Sequence, residues 1–325
     1  MAAPSIAIRR QGAKFLHEIL SAQRAVAFSS ASRHYMVKTS SIFQKSTGND
    51  ERVKQLMGRG LPKARAIPGV KNIIVIASGK GGVGKSTVAV NLALSVSHLQ
   101  KCSVGLLDAD VFGPSIPRML NLSGHQPEAN KDGKILPLQN YGLSCSMSMG
   151  FLVDEKSPIV WRGLMVMQAI QRLLFEVAWG NIEYLFIDMP PGTGDTQLSI
   201  SQLVPVSGAV IVSTPQDIAL LDARKGAEMF KKVNIPVLGL IQNMSIYHCP
   251  NCGHQSHIFG QDGVRHMAQE INVDLLGEIP LHMDICQTCD QGKPISISAP
   301  SGQHATIFND IAKHLMTSLR KQEKG

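Results

Sequence analysis

The chain has 325 residues, 44% hydrophobic and 17% charged, which is enough apolar material for a folded core and excludes a wholly disordered chain. Its net charge of +8 at neutral pH points first to nucleic acid. However, residues 1–48 hold seven basic side chains and one acidic side chain, so the rest of the chain (25 basic, 23 acidic) has a net charge of only +2. The excess charge belongs to the N-terminus, and we expect no nucleic acid among the partners.

The N-terminal segment, residues 1–45, has the composition of a mitochondrial presequence. It bears several Arg and Ser residues with few acids, and apolar side chains between Ile8 and Val26 share one face of a potential helix. It lacks the apolar run of a secretory signal. We therefore predict a transit peptide, a flexible arm over residues 46–69 and a location in the mitochondrial matrix. A disordered basic tail is the alternative interpretation.

Residues 70–320 are predicted to form one α/β domain, followed by a tail at 321–325. Short apolar runs, typical of strands buried on both faces, alternate with segments of helical periodicity, which predicts a mostly parallel β-sheet flanked by helices. No segment has the roughly 20 mainly apolar residues that span a bilayer, so membrane contact is expected to be peripheral at most. The predicted strands are 73–77, 104–107, 184–187, 209–212, 237–241 and, more weakly, 275–276; the predicted helices are 87–99, 164–177, 218–232 and 302–319.

A glycine-rich loop follows the first predicted strand and precedes the first predicted helix. It matches G-x-x-x-x-G-K-[ST], the phosphate-binding loop of nucleoside triphosphatases, and predicts a P-loop NTPase. Backbone N–H groups of such a loop surround phosphate oxygens, Lys85 would contact the β- and γ-phosphates of ATP, and the Ser86 hydroxyl would bind Mg²⁺. The loop consists of Gly79, Lys80, Gly81, Gly82, Val83, Gly84, Lys85, Ser86 and Thr87.

Lys80 is a second lysine in this loop. The loop has room for only one lysine on the phosphates of its own nucleotide, so Lys80 needs another role. Its position resembles the deviant Walker A loop of MinD-type ATPases, in which this lysine reaches across a dimer to the partner's nucleotide. The resemblance implies a MinD-like P-loop fold, a homodimer and a catalytic Lys80 that acts in trans, as an arginine finger does. A solvated surface lysine is the alternative.

Two of the predicted strands are followed by carboxylates. Asp108 and Asp110 follow the second strand, and Asp188 follows a later one. The carboxyl ends of parallel strands face the crevice where ligands bind, and Mg²⁺ prefers oxygen ligands. We therefore predict that Asp108 and Asp188 belong to the magnesium shell and that Asp110 orients the attacking water. The sequence does not distinguish the roles of Asp108 and Asp110.

Cys249 and Cys252 form a C-P-x-C-G knuckle within a predicted metal loop at residues 245–260. Two thiolates at this spacing can bind one metal, and a reducing matrix argues against disulfides. Two kinds of metal site fit, and a structural or redox-active cysteine pair is the remaining alternative. One is zinc, bound with His254 and His257 or with a second C-x-x-C pair. The other is an iron–sulfur cluster, which needs about four thiolates and would take two from each chain of a dimer.

An ordered set of motifs resembles the Mrp/ApbC family of iron–sulfur cluster carrier ATPases. Besides the phosphate-binding loop and the knuckle, the set comprises residues 108–115, 161–163, 188–195, 213–217 and 242–244. The resemblance implies a homodimer that carries a [4Fe-4S] cluster on Cys249 and Cys252 of both chains and hydrolyses ATP slowly as the cluster is delivered. It matches Asn243 to the family's adenine-contacting asparagine. With the presequence, it implies recipients such as subunits of respiratory complex I.

One segment departs from that family. Cys286 and Cys289 stand where the family usually has an Arg- and Glu-containing stretch, although Asp290, Gly292 and Pro294 keep the pattern that follows. This second pair is either incidental or an additional metal ligand, and convergence of all four cysteines within one chain would contradict the bridged dimer.

The two remaining cysteines, Cys102 and Cys145, are interpreted as buried apolar fillers. The alternative function for the whole chain is a MinD-like dimerising ATPase switch with a structural zinc site.

Overall fold

The computed structural model describes residues 64–111, 113–152 and 163–322. The predicted presequence at 1–45, the first part of the predicted arm at 46–69 and the motif residues Trp161 and Arg162 lie outside the described residues. The predicted boundaries of these segments stay predictions.

Within the described residues, nine strands form one sheet in the order β3-β4-β2-β5-β1-β6-β7-β8, with β9 also paired to β7. Only β3 with β4 and β7 with β8 are antiparallel among these pairs; the others are parallel, as predicted. The strands are β1 (Val70–Ala77), β2 (Val104–Asp108), β3 (Leu138–Asn140), β4 (Leu143–Ser148), β5 (Ile182–Asp188), β6 (Gly208–Ser213), β7 (Val237–His248), β8 (Gln255–Ser256) and β9 (Leu275–Leu281).

Helices connect these strands and cover the sheet. None of the helices in the described ranges is long and apolar enough to cross a membrane. The helices are α1 (Lys85–Gln100), α2 (Ile116–Met119), α3 (Gly163–Phe175), α4 (Asp195–Leu203), α5 (Asp217–Lys232), α6 (Gly263–Glu270), α7 (Met283–Asp290), α8 (Ile295–Ser298) and α9 (Gln303–Gln322), and a 3₁₀ turn covers Met149–Phe151.

All of the predicted strands and helices are present, with shifted ends. Strand β7 differs most, because it continues past the predicted end at residue 241 to His248, where it pairs with β8 and β9. Strand β4 was not predicted, because its alternating Ser residues give the appearance of a polar segment. The side chains of Ser146 and Ser148 are nevertheless fully buried beside β2.

The core lies between the central strands and the helices that pack on them. Residues Ile73–Ala77 of β1 are at most 5% exposed, as the continuous apolar run predicts for a strand covered on both faces. Helix α1 is buried along most of its length because it packs between the sheet and α9. Because β1, β2 and β5 are parallel, their carboxyl ends lie at the same edge of the sheet, where the loops that follow them meet.

Candidate functional site

The phosphate-binding loop joins β1 to α1, and its shape depends on two glycines. Gly84 caps α1 with φ of 81°, a left-handed conformation that side chains disfavour, and a Cβ there would lie 2.2 Å from Asn243 Nδ2. A Cβ on Gly79 would lie 2.2 Å from the carbonyl carbon of Asp222 in α5. The loop therefore packs tightly between the middle of β7 and helix α5.

Asn243 lies beneath this loop. Its Nδ2 donates to the Val83 carbonyl oxygen at 2.8 Å, and the residue is 7% exposed. The structure thus shows Asn243 supporting the backbone of the loop. Its predicted contact with adenine stays a prediction.

Lys85 and Asp188 form a buried ion pair at the base of the loop. Lys85 Nζ lies 2.6 Å from Asp188 Oδ1 and 3.1 Å from Ser86 Oγ, and the two side chains are 6% and 0% exposed. Lys85 begins α1 and Asp188 ends β5, so the fold brings together residues about a hundred positions apart in the chain. The pairing places the three residues where the sequence predicts the phosphate and magnesium ligands.

Asp108 lies beside Asp188 in the parallel register of β2 and β5. Burial, and then the charge of Asp188, raise the pKa of Asp108 to about 7, while Lys85 opposes the shift. Burial also raises the pKa of Asp188, against the effect of Lys85. Two buried carboxylates therefore share one lysine, an arrangement that a divalent cation would stabilise.

Asp108 is fully engaged by the protein. Its Oδ1 accepts from the backbone N–H of Asp110 at 3.1 Å, and its Oδ2 accepts from the N–H groups of Ser115 and Ile116 and from Ser148 Oγ at 3.1–3.3 Å. Asp108 thus holds the segment that carries Asp110. Ser148 donates its hydrogen bond from strand β4, which was not predicted, so the sequence alone did not reveal this contact.

Asp110 and Asp188 each keep a carboxylate oxygen for a ligand. Asp110 Oδ1 and Asp188 Oδ2 are buried and have no hydrogen-bond partner among the described residues. Oxygen atoms left unpaired in this way fit a hydrated Mg²⁺ ion beside the phosphate-binding loop. The chemistry of the site therefore fits magnesium and a nucleotide.

The phosphate-binding loop and Asp110 line a cavity of about 590 Å³. This volume lies within the range of about 300–1,000 Å³ that is usual for small-molecule sites. The partly exposed Lys80 lines the same cavity, and Asp110 and Ser115 lie on its wall. Helix α7 contributes Cys286 and Cys289 to the lining, a position that the sequence did not predict.

The knuckle follows the C-terminal end of β7, in the turn that leads to β8. The backbone N–H of Cys249 donates to the carbonyl oxygen of His254 at 2.9 Å. The N–H of Gly253 donates to the carbonyl oxygen of Cys249 at the same distance. Cys249 is partly exposed and Cys252 is exposed. Hydrogen bonds from the backbone of Cys252 and Asn251, and then from the Cys252 side chain, lower the pKa of Cys249, which favours the metal-binding thiolate.

The histidines near the knuckle do not complete a zinc site in this structure. His254 is exposed, and His257 Nδ1 lies 3.1 Å from the Ser245 carbonyl oxygen. Among the described residues, no three ligand atoms of Cys249, Cys252, His254 and His257 lie within 4.8 Å of one another. The second pair does not join them either, so the four cysteines do not converge within one chain.

The remaining cysteines differ from each other. Cys145 is 6% exposed, its Sγ donates to the Trp179 carbonyl oxygen at 3.1 Å, and burial raises its pKa to about 11, which confirms its predicted burial. The same prediction is wrong for Cys102, which is only partly buried because it lies in the turn between α1 and β2.

Comparison with known proteins places this site in a family. Residues 69–316 match the family described as ParA, NUBPL iron-transfer P-loop NTPase. The chain is 58% identical over 271 residues to the iron-sulfur cluster transfer protein NUBPL of Mus musculus. The aligned region covers 83% of this chain and 84% of the mouse protein. It is 50% identical over 253 residues to an Arabidopsis thaliana protein named iron-sulfur protein required for NADH dehydrogenase, mitochondrial, with coverages of 78% and 80%.

A solved structure supports the same assignment. The nucleotide-binding protein of Archaeoglobus fulgidus, in complex with ADP, is 36% identical, with a TM-score of 0.61 over 69% of this chain and 88% of that protein. Together with the sheet order, these matches confirm the predicted fold class, a P-loop NTPase of the MinD type with a mostly parallel sheet.

Proposed function

Because the chain belongs to the ParA/NUBPL family of iron-transfer P-loop NTPases, we propose that it is an ATP-dependent iron–sulfur cluster carrier. It binds a [4Fe-4S] cluster at a homodimer interface and delivers it to recipient proteins in the mitochondrial matrix. Subunits of respiratory complex I are the proposed recipients, which the name of the Arabidopsis relative supports. The predicted presequence supports the location.

The knuckle of Cys249 and Cys252 is the observation that carries the proposal. One chain offers two accessible thiols there, and no third Cys, His, Asp or Glu ligand of the described residues gathers around them. A cluster needs about four thiolates. Two chains related by a two-fold axis would supply them, and the cluster would then lie between the protomers, exposed enough to be handed on.

Three of the exposed apolar side chains support a dimer at this surface. Ile218 and Leu221 of α5 are 60% and 59% exposed, and α5 packs against Gly79 of the phosphate-binding loop. Ile258, which is 56% exposed, follows the knuckle in the chain. Apolar surface beside both the nucleotide loop and the cysteines supports a dimer whose interface includes the two sites.

The nucleotide site would work through the residues described above. Lys85 would bind the β- and γ-phosphates, and Ser86 and Asp188 would hold Mg²⁺, which would neutralise phosphate charge. Asp110 would orient the attacking water. Asp108 would lie in the outer part of the magnesium shell and fix the segment that carries Asp110. Lys80 would reach the partner's nucleotide. We propose that this slow hydrolysis is coupled to acquisition or release of the cluster.

Anaerobic reconstitution with iron and sulfide tests the proposal. For the full chain without its presequence we expect about two iron atoms per chain, the Mössbauer spectrum of a [4Fe-4S] cluster and a dimer in sedimentation. The Cys249→Ser variant should lose the cluster, and the control Cys286→Ser should keep it. A cluster that survives in Cys249→Ser, or zinc bound at one ion per chain with no iron–sulfur spectrum, would contradict the proposal.

A further inference from the structure

Two histidines and an aspartate meet where β9 and α7 adjoin the start of α9. Of all the described residues, His282, Asp284 and His304 form the only group of three or more potential metal ligands whose donor atoms all lie within 4.8 Å of one another. His282 follows β9 directly, Asp284 lies in the first turn of α7, and His304 lies in the first turn of α9. The start of α7 therefore supplies two of the donors, and the start of α9 brings the third to the same point.

The geometry holds the donors in place. The rings of His282 and His304 are 4.2 Å apart between centroids, with an angle of 41° between their planes. Asp284 Oδ2 lies 3.6 Å from His282 Nδ1, and the backbone N–H of Asp284 donates to the same nitrogen at 3.2 Å, which caps α7 and orients the ring; a metal ion bound at this nitrogen would replace that hydrogen bond. Both imidazoles are partly buried and the carboxylate is exposed, so an ion can reach the group from solvent.

One nitrogen of the group lacks a partner. His304 Nδ1 is buried and has no hydrogen-bond partner among the described residues. Buried polar atoms are nearly always paired, so an unpaired imidazole nitrogen next to a second imidazole and a carboxylate indicates a missing ligand.

The group lies beside the cysteine knuckle. Tyr247 of β7 pairs with Leu281 of β9, so the next residues, His248 and His282, lie at neighbouring strand ends. Cys249 follows His248 in the chain. The donor set here differs from that of the knuckle, since imidazole and carboxylate favour a single divalent ion such as Fe²⁺, Co²⁺ or Zn²⁺, whereas paired thiolates suit clusters.

We propose that His282, Asp284 and His304 form a mononuclear binding site for a divalent first-row transition-metal ion, separate from the thiolate site and next to it. Three protein donors leave coordination positions open for water or for an exchanging ligand. The site does not depend on the proposed cluster carriage, because none of its donors is a cysteine.

Titration of the metal-free, full-length chain with Co²⁺ under anaerobic conditions tests the site. The protein with Cys249→Ser and Cys252→Ser is the background, because it removes thiolate–cobalt bands. We expect one Co²⁺ per chain with visible d–d absorption, and an affinity at least about tenfold lower when His282→Ala and His304→Ala are added. The control His266→Ala changes an exposed histidine of α6 and should bind as the background does.

Folding is checked on the same samples by thermal melting with and without Zn²⁺. Metal should raise the melting temperature of the background and of His266→Ala, but not of the double histidine variant. If the double variant binds Co²⁺ unchanged, or if the cysteine-free background binds none, the site does not exist as proposed. If the double variant fails to fold, Asp284→Asn, an exposed change, replaces it and must weaken Co²⁺ binding for the proposal to stand. None of these outcomes depends on whether a cluster forms, so the site and the carrier function fail or succeed separately.

Discussion

The chain contains two C-x-x-C pairs with the same spacing and opposite surroundings. Cys249 and Cys252 lie in an exposed turn, where backbone N–H groups are free to donate to sulfur and lower the pKa of Cys249. Cys286 and Cys289 lie in helix α7, where N–H groups of the helix interior are used by the helix itself. Cys289 is 4% exposed, burial raises its pKa to about 11, and Asn91 Nδ2 lies 3.6 Å from its Sγ.

The difference shows that backbone conformation, and not spacing, decides what a cysteine pair can bind. A turn presents both sulfurs outward and stabilises a thiolate, while a helix turns one sulfur inward and keeps it a thiol. The second pair therefore belongs to the wall of the nucleotide cavity, and the first pair is the one that we propose as the bridge between two chains.

The largest expected effect is on thiol reactivity. At pH 8 we expect iodoacetamide to alkylate Cys249 more than about 100-fold faster than Cys289, because the buried thiol is almost entirely protonated and shielded. The rate at Cys249 should level off below the ordinary thiol pKa of 9.0, since its pKa is lowered, whereas the rate at Cys289 should still rise toward pH 11. Mass spectrometry of the cluster-free protein measures both rates, and equal rates would remove the distinction between the pairs.

The next effect separates the nucleotide site from the knuckle. Gly84→Ala places a methyl group on Asn243 Nδ2 and strains a left-handed residue, so ATP affinity should fall more than about tenfold. Gly82→Ala is the matched control, because Gly82 has a similar φ of 80° but open space around it. Its loss should be smaller, by isothermal titration with ATP. Alkylation of Cys249 should be unchanged in both, and a changed rate would show that the loop and the knuckle are coupled within one chain.

The phosphate-binding loop could be predicted from sequence because strand, loop and helix are consecutive in the chain. The burial of Cys289 could not, because it depends on Asn91 of α1, almost two hundred residues away. The contacts of Asp108 could not be predicted either, because one of them comes from Ser148, and the serines of β4 make this strand look like a polar loop in the sequence. The contacts that the sequence missed, at Cys289 and at Asp108, join segments far apart in the chain. Lys85 and Asp188 are also far apart, but each lies in a motif that follows a predicted strand, and that motif indicated its position.

A smaller effect is expected on stability. Cys289→Ser buries a hydroxyl, which is more costly to desolvate than a thiol, at a position that is 4% exposed, and should cost about 1–3 kcal/mol of unfolding free energy. Cys252→Ser changes an exposed side chain and should stay within about 0.5 kcal/mol. Urea denaturation of the cluster-free protein measures both. A larger cost at Cys252 than at Cys289 would mean that the knuckle, and not helix α7, has the structural role.

The smallest effect tests whether the second pair really borders the nucleotide. Cys286 is exposed but lines the cavity of the phosphate-binding loop, so MgADP should slow its alkylation several-fold by covering that wall. Cys249 does not line this cavity and should react at the same rate with and without MgADP. ADP is the chosen ligand because it occupies the loop without the γ-phosphate that Lys80 of a partner chain would contact, which keeps dimerisation from covering the knuckle. Protection of Cys249 with no protection of Cys286 would reverse the comparison, since bound nucleotide would then affect the proposed cluster ligands and not the cysteine that lines its own cavity.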